Sequence, residues 1–377
     1  MSSVREQTAR RPIGVGVVGC GSVSRVYIPH LQSLNVPRPR VDIRLVADLD
    51  PARRDVVAER YALDRFTTDP AEVVGASDIE IVLVLTAMPA HFRLAKAALL
   101  AGKHVLVEKP MAMTLPEAAE LVEIARTSPG HLMCAPHVVV SPTYQAIWKQ
   151  LNDGAIGTVL TARGFYGWSG PNWGPWFYQP GGGAMFDLGV YNVTSLTGIL
   201  GPAKRVVAMS GIAIPEREVA GRLQPVETDD NAHLLLDWGG GTYAVVTTGF
   251  TIQRYDVPGL ELYGTDGVAY MLGEDWDPRG YRLWQNAAGC WQDFAQKAKW
   301  PWSDGIRHLV DCVEQGRAPL NTPEQAYHVL EIMLASMESG RTGQAVPIAS
   351  TFDMARFDDA DLFGPGAHLA HDAGRAS

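Results

Sequence analysis

Cysteine is scarce. The four in 377 residues, Cys20, Cys134, Cys290 and Cys312, stand far apart, with no CxxC pair and no Cys/His cluster. This spacing speaks against a disulfide framework and a zinc site, and no metal is expected. Positive charge is also short. Lys and Arg number 32 against 41 Asp and Glu, a net charge of -9. The basic footprint of a nucleic-acid binder is absent, so no nucleic-acid partner is expected. An anionic cofactor stays compatible, because backbone amides at a helix N-terminus hold phosphates. No run of about 18 apolar residues occurs, so no membrane partner is expected either. The stretch Met1 to Arg11 is polar and carries three arginines. It lacks the apolar core of a secretory signal, and a cytoplasmic location is the expectation. Neither an internal repeat nor a low-complexity block is found.

What is present is an ordinary globular composition, 46% hydrophobic and 19% charged, in a chain long enough for two domains of roughly 100–200 residues each. Ile13 to Val18 is an apolar run ending at Gly19 and reads as a buried parallel strand. Gly21 to Leu34 reads as a helix, and Ile43 to Ala47 as a second strand ending at Asp48. Asp50-Pro51 resembles an N-cap followed by proline at the first helical position. Glu80 to Thr86 and His104 to Val107 read as strands, and Pro89 to Ala101 as a helix stopped by Gly102. Thr114 to Arg126 reads as a helix opened by a Thr114/Glu117 capping box. This alternation predicts βαβ units and a doubly wound parallel sheet.

After about Leu132 the texture changes. Thr158–Tyr166, Arg205–Ile212, Ala232–Trp238, Gly241–Phe250 and Gly259–Gly264 read as strands with no helices between them. A largely antiparallel sheet is therefore expected in a second domain. Ile306–Gln315 and Pro323–Ser339 read as closing helices. The expected division is a dinucleotide-binding domain over 12–134, an α+β domain for substrate and oligomerisation over 135–350, and a peripheral tail over 351–377.

Gly19-Cys20-Gly21-Ser22-Val23-Ser24 sits between the first strand and the first helix. It fits the dinucleotide pattern G-x-G-x-x-G/A, with Ser24 in the third small position. Gly19 makes the tight turn, and Gly21 lets the backbone at Ser22 and Val23 approach a pyrophosphate. Asp48, closing the second strand, suits the two ribose hydroxyls of NAD and would repel a 2′-phosphate; Arg53 and Arg54 nearby keep NADP open.

Gly102-Lys103-His104-Val105-Leu106-Val107-Glu108-Lys109-Pro110 resembles the AGKHV-x-x-EKP segment of the glucose–fructose oxidoreductase/inositol dehydrogenase family, often called Gfo/Idh/MocA. Pro89-Ala90-His91 is similar to that family's P-x-H, and Gly181 to Tyr191 to its GGG-x-x-x-D-x-G-x-H. Gly340 to Val346 fits as well, so the resemblance runs from about Ile13 to Ile348. It implies an N-terminal Rossmann domain followed by an α/β domain with a large open sheet that mediates homodimers or homotetramers. It also implies hydride transfer between NAD(P) and a sugar, cyclitol or related polyol. Two departures bear on the substrate. Tyr191 stands where the family commonly has histidine, as in the glucose–fructose oxidoreductase branch. His137 and Val138 stand where it often has Asn and Arg.

The candidate catalytic residues are Lys109, Asp187 and Tyr191. Lys109 ends a parallel strand, where such sheets bind ligands, and its ammonium suits a developing alkoxide. Asp187 and Tyr191, four apart in a helix, share a face. Asp187 is read either as orienting Lys109 or the substrate hydroxyl, or as a helix-capping acid. Tyr191 is read either as a proton carrier or as a core ring. Gly19, Gly21, Ser22, Val23, Asp48, Thr86, Pro89, His91, Glu108 and Lys109 are the candidate cofactor contacts. His137, Trp173 and Trp176, with Asp187 and Tyr191, are the candidate substrate contacts. Trp168, Trp173, Trp176, Phe177 and Tyr178 crowd one Gly/Pro-rich loop. They are read equally as a platform for sugar C–H faces or as core anchors. His308 is read as structural. The function expected is oxidation of a secondary hydroxyl of a sugar, glycoside or cyclitol. A keto-sugar reductase running in reverse, a glucose–fructose-type enzyme that keeps its cofactor and a non-catalytic dinucleotide sensor are the alternatives.

Overall fold

The computed structural model describes residues 11–296, 298–355 and 370–371. Two compact units emerge. The first comprises residues up to Glu108 together with Glu123–Met133 and Gly305–Pro319; the second comprises Lys109–Val122, Cys134–Asp304 and the chain from Leu320. The division is thus not a single cut, since the closing helix at 305–315 clusters with the N-terminal elements.

The first unit alternates strand and helix. Its elements are β1 (Ile13–Val18), α1 (Ser24–Ser33), β2 (Val41–Ala47), α2 (Arg53–Tyr61), β3 (Phe66–Thr67), α3 (Pro70–Gly75), β4 (Ile81–Val84), α4 (His91–Leu100) and β5 (His104–Val107). Next in the chain come α5 (Leu115–Thr127), most of which falls in the second unit, and β6 (Leu132–Cys134). The strands form one sheet in the order β3-β2-β1-β4-β5-β6. β1 lies between β2 and β4, parallel to both, and every residue of it is buried. That burial on both faces is why it reads as an unbroken apolar run rather than an alternating one.

Some element boundaries differ from expectation. α1 begins at Ser24, three residues after Gly21. α2 begins at Arg53 with Ala52 as its N-cap residue. Asp50 instead closes the preceding turn, its carboxylate accepting from Ala52 N at 3.0 Å. Thr114 caps α5 as read, Oγ1 accepting from Glu117 N at 3.4 Å.

The second unit contains α6 (Pro142–Asn152), β7 (Val159–Gly167), α7 (Val190–Leu200), β8 (Arg205–Gly211), β9 (Glu216–Val219), β10 (Arg222–Pro225), β11 (Asn231–Gly239) and β12 (Thr242–Gly249). It continues with β13 (Leu260–Gly264), β14 (Gly267–Glu274), β15 (Asp277–Gln285) and β16 (Cys290–Ala295). α8 (Gly305–Gln315) returns to the first unit, and α9 (Pro323–Thr342), β17 (Val346–Pro347) and β18 (Ala370–His371) complete the chain. Among the described residues the large sheet has ten strands, ordered β17-β8-β11-β12-β7-β13-β14-β15-β16-β18. Its pairings are antiparallel except β12 with β7, which run parallel. β8 and β11 alternate buried and exposed residues, so there one face of the sheet is covered and the other open. α6, absent from the expected strand-only stretch, starts on a Ser-Pro pair, with Ser141 Oγ accepting from Tyr144 N at 3.2 Å. No helix of the described residues is long and apolar enough to cross a membrane.

Candidate functional site

In the first unit the C-terminal ends of β1, β2 and β4 meet at the glycine loop. Gly19 has φ +101°, and a Cβ there would stand 2.7 Å from the carbonyl of Leu85 and 2.8 Å from Thr86 N. Only glycine tolerates both the backbone conformation and the contact. Gly21 has open space where a Cβ would lie, so its role is not a steric demand of the protein itself. Ser24 is buried and donates to Gly21 O at 2.8 Å. The third small position is therefore filled by a hydroxyl that braces the loop. Ser22 and Val23 lie between, immediately before α1, where the helix dipole and free amides favour phosphate.

Asp48 closes β2. Its Oδ2 accepts from Cys20 N at 2.7 Å and its Oδ1 from Asp50 N at 2.9 Å. Arg53 pairs with Asp50 at 3.5 Å, and the Arg54 guanidinium lies 5.2 Å from the Phe66 ring. Both arginines that kept a 2′-phosphate in play thus have partners of their own. Burial, then the neighbouring Asp48, pushes the Cys20 thiol up to about 12, so this cysteine is no nucleophile.

Thr86 follows β4, and its hydroxyl is a buried group with no hydrogen-bond partner in the protein. An orphaned hydroxyl beside a glycine turn fits a bound dinucleotide that completes it. Pro89 lies in the turn Met88–Ala90. His91 opens α4, is buried, and its Nε2 lies 2.9 Å from Thr86 O. It ties the helix back to the strand end. Glu108, also buried, accepts from Tyr27 OH at 2.8 Å. Tyr27 escaped sequence reasoning. Its only signal is that it follows Ser24 by three positions, on the loop-facing side of α1.

In the second unit the glycine run leads into a π-helical turn, Met185–Gly189, continuous with α7. Such turns loosen the carbonyl ladder and recur at functional sites. Here the Lys109 ammonium donates to Asp187 O at 2.8 Å and to Asp187 Oδ1 at 2.8 Å, with Phe186 O at 3.5 Å. The pair is mostly excluded from solvent, 10% exposed at the lysine and 18% at the aspartate. The ammonium also lies 5.4 Å from the centre of the Tyr191 ring. Tyr166 of β7 meets that ring edge-on at 5.8 Å and lies 6.4 Å from Trp276. Burial, then Tyr191 and Asp187, raises the Tyr166 phenol far above its usual range. Tyr166 and Trp276 carried no sequence signal, because neither stands in a motif.

The aromatic loop resolves into two parts. Phe177 and Tyr178 are buried in a core cluster with Phe250, and Tyr178 OH donates to Pro171 O at 2.7 Å. Trp173 and Trp176 are 55% and 42% exposed. They flank Phe177, Trp176 stacked on it at 3.6 Å and Trp173 edge-on at 6.0 Å. Trp168 stands 5.4 Å from Trp173. His137 is buried, just before the turn Val138–Val140. His308 is buried on α8, 3.5 Å from Cys312 Sγ. Lys109, Asp187 and Tyr191 are therefore brought together, whereas the two exposed indoles gather around Phe177. No group of three or more potential metal ligands exists among the described residues.

Residues 13–135 match the family model described as an oxidoreductase family with an NAD-binding Rossmann fold, and residues 144–270 match a GFO/IDH/MocA C-terminal domain. The trans-1,2-dihydrobenzene-1,2-diol dehydrogenase of Macaca fuscata fuscata is 29% identical over 267 residues, 70% of this chain and 75% of that one. The levoglucosan dehydrogenase of Pseudarthrobacter phenanthrenivorans is 26% identical over 281 residues, covering 68% and 72%. In structure, a levoglucosan dehydrogenase complex with NADH and L-sorbose superposes with a TM-score of 0.81 at 21% identity, over 90% of this chain and 100% of that one. An oxidoreductase from Agrobacterium radiobacter has a TM-score of 0.75 at 19% identity, over 90% and 99%. Family models account for both the dinucleotide-binding part and the C-terminal part of one chain, and the protein belongs to the GFO/IDH/MocA oxidoreductases, enzymes with an NAD-binding Rossmann fold.

Proposed function

We propose that this enzyme oxidises a secondary hydroxyl on a ring polyol, a sugar, glycoside or cyclitol, with Lys109, Asp187 and Tyr191 handling the proton. The observation that carries this reading is the Lys109 ammonium held 2.8 Å from Asp187 Oδ1 beside the Tyr191 ring. Two relatives act on compatible chemistry: a ring 1,2-diol in one, levoglucosan in the other.

A bound NAD would supply the hydride acceptor for the carbinol carbon. The chain supplies the rest. Gly19 to Val23 and the start of α1 would hold the pyrophosphate, Asp48 would take the adenine ribose, and Thr86, Pro89, His91 and Glu108 would complete the cofactor contacts. Lys109 directly follows Glu108 in the chain and so begins just past the carboxyl ends of the parallel strands, outside which such sheets bind dinucleotides. There it donates to the reacting oxygen and stabilises alkoxide character. Asp187 fixes the lysine by two contacts; in its neutral amine form Lys109 accepts the hydroxyl proton, becomes the ammonium that stabilises the alkoxide, and passes the proton on by way of the Tyr191 hydroxyl to solvent. Trp173 and Trp176 offer exposed surface to ring C–H groups, and His137 is the further residue assigned to the substrate. The open face of the ten-stranded sheet serves to join two or four copies of the chain.

Absorbance at 340 nm with NAD and a panel of polyols tests the reading. The panel includes levoglucosan, inositols, aldoses and trans-1,2-dihydrobenzene-1,2-diol. NADH formation with ring polyols is the expected result. Turnover confined to acyclic or aromatic alcohols would overturn the substrate class. Lys109→Ala with unchanged turnover would overturn the residue assignment.

A further inference from the structure

One buried carboxylate takes no part in the mechanism above. Asp275 lies in the turn between β14 and β15 and is wholly excluded from solvent. α7 holds both of its oxygens. Oδ1 accepts from Asn192 Nδ2 at 3.0 Å, and Oδ2 from Ser195 Oγ at 2.5 Å. Both partners are themselves fully buried. Asn192 follows Tyr191 in the chain, and Ser195 lies about one turn beyond it.

The seat of α7 at this point leaves no slack. A Cβ on Gly164 of β7 would stand 2.7 Å from Asn192 Cβ, so helix and sheet touch where the amide enters the network. Asn192 Nδ2 also reaches Gly259 O at 3.3 Å, and Ser195 O accepts from Tyr144 OH of α6 at 3.2 Å. The next residue of the same turn, Trp276, lies beside Tyr166, which meets Tyr191 edge-on. One turn thus reaches the Tyr191 neighbourhood by two routes. A carboxylate without water is costly to keep, and here its partners are neutral donors. Packing alone would be served by an apolar side chain.

We propose that Asp275 is a positioning residue for the reaction: by holding Asn192 and Ser195 it sets the depth and rotation of α7, and so holds Asp187 and Tyr191 against the Lys109 ammonium. The inference rests on the assignment of Lys109, Asp187 and Tyr191 made above. Burial pushes the Asp275 carboxyl up to about 7, against the pull of its Ser195 and Asn192 hydrogen bonds. The ionisable groups around it are Glu274 on its own turn, Tyr255 before β13 and Tyr144 on α6.

The test is the titration of Lys109 in the full-length protein. It is followed by reductive methylation with formaldehyde and cyanoborohydride across pH and read by mass spectrometry of the Lys109 peptide. NADH binding, monitored by fluorescence, reports that each variant is folded. Asp275→Asn retains both hydrogen bonds, its amide donating to Ser195 Oγ, and leaves the Lys109 midpoint where it was. Asp275→Leu releases α7 and weakens the Asp187 contact, and the Lys109 midpoint falls by at least about half a unit. With a substrate from the polyol panel, kcat of Asp275→Leu falls by about tenfold or more while KM and NADH affinity hold. Should Asp275→Leu fail to fold, Ser195→Ala removes one of the two bonds and shifts Lys109 in the same direction by less. A folded Asp275→Leu with the wild-type Lys109 midpoint overturns the proposal, as does an unshifted Ser195→Ala where the leucine variant is unavailable through misfolding. The outcomes separate from those of the assignment: Lys109→Ala with full turnover would sink the catalytic reading, while the Lys109 titration would still report whether Asp275 seats α7.

Discussion

In the proposed function Gly19, Asp48 and Lys109 each answer a different demand. At Gly19 the demand is steric: a positive φ together with a backbone neighbour 2.7 Å from a would-be Cβ. Gly19→Ala is expected to destabilise the first unit by about 1–3 kcal/mol and to weaken NADH binding, both measurable by thermal shift with and without the cofactor. At Asp48 the demand is electrostatic. The carboxylate already tethers Cys20 N and would repel a 2′-phosphate. Asp48→Ser is expected to move the ratio of kcat/KM for NADP over NAD upward by about tenfold or more, the loss of a charge-assisted hydrogen bond being worth about 1.5–3 kcal/mol. An unchanged ratio would remove Asp48 from cofactor selection. At Lys109 the demand is chemical. Lys109→Ala and Tyr191→Phe are each expected to lower kcat by about 10²–10⁴-fold with NADH affinity retained, as steady-state kinetics and fluorescence titration would show.

Among the elements, α9 carries a pH-sensitive joint. Its His328 is buried, Nε2 accepting from Ala203 N at 3.0 Å and Nδ1 lying 2.7 Å from Ser350 Oγ. The neutral ring is the form these contacts need. Burial pushes His328 down to about 4, below the value of about 6.5 for an unfolded chain. Between those values the unfolded state binds the extra proton, so stability is full above about pH 6.5 and is lost as pH falls toward 4. The Tm of the wild type relative to that of His328→Gln is therefore expected to drop over that interval. Parallel Tm profiles would dismiss His328 as a source of acid sensitivity. Asp275 has the opposite sign. Its raised carboxyl makes the native state the better proton binder from about 4 to about 7, so its contribution is lost as pH rises through that window. The two windows overlap with opposite signs, so scanning calorimetry of His328→Gln and Asp275→Asn, each against the wild type from about pH 4 to 7, separates the two groups.

At the scale of the whole molecule the open face of the ten-stranded sheet is the feature to test. Register places Val207 and Val245 on either side of Leu235, and Met209 opposite His233. Val207, Met209, Leu235, Tyr243 and Val245 are all exposed there. A stripe of exposed apolar side chains on adjacent strands fits the proposed joining of copies of the chain. The chain is expected to run as a dimer or tetramer in light scattering, and Met209→Asp combined with Val245→Asp to lower its mass toward the monomer. A wild-type chain that is monomeric at micromolar concentration would leave the face without that role.

The N-terminal half was legible from its residues because its signals are local. β1 and β5 fall where the apolar runs end. Gly19 must be glycine for reasons set by its own φ, and Ser24 braces a carbonyl three residues away. The Glu-Lys-Pro block and the glycine run announced Lys109 and Asp187 as separate residues. Their meeting was one of the readings open for Asp187, and with the two residues 78 positions apart the sequence had no means of choosing it over a capping role. Asp275 reaches Ser195 across 80 positions and Asn192 across 83, and Tyr166 finds Tyr191 only because α7 lies against β7. Nor did the pattern of the aromatic loop reveal that Phe177 and Tyr178 would turn inward and Trp173 and Trp176 outward. Backbone conformation, capping and strand burial follow from neighbours along the chain, and the sequence alone determines them. Which side chains share a site follows from how a ten-stranded sheet brings distant segments into register, and only the tertiary structure decides it.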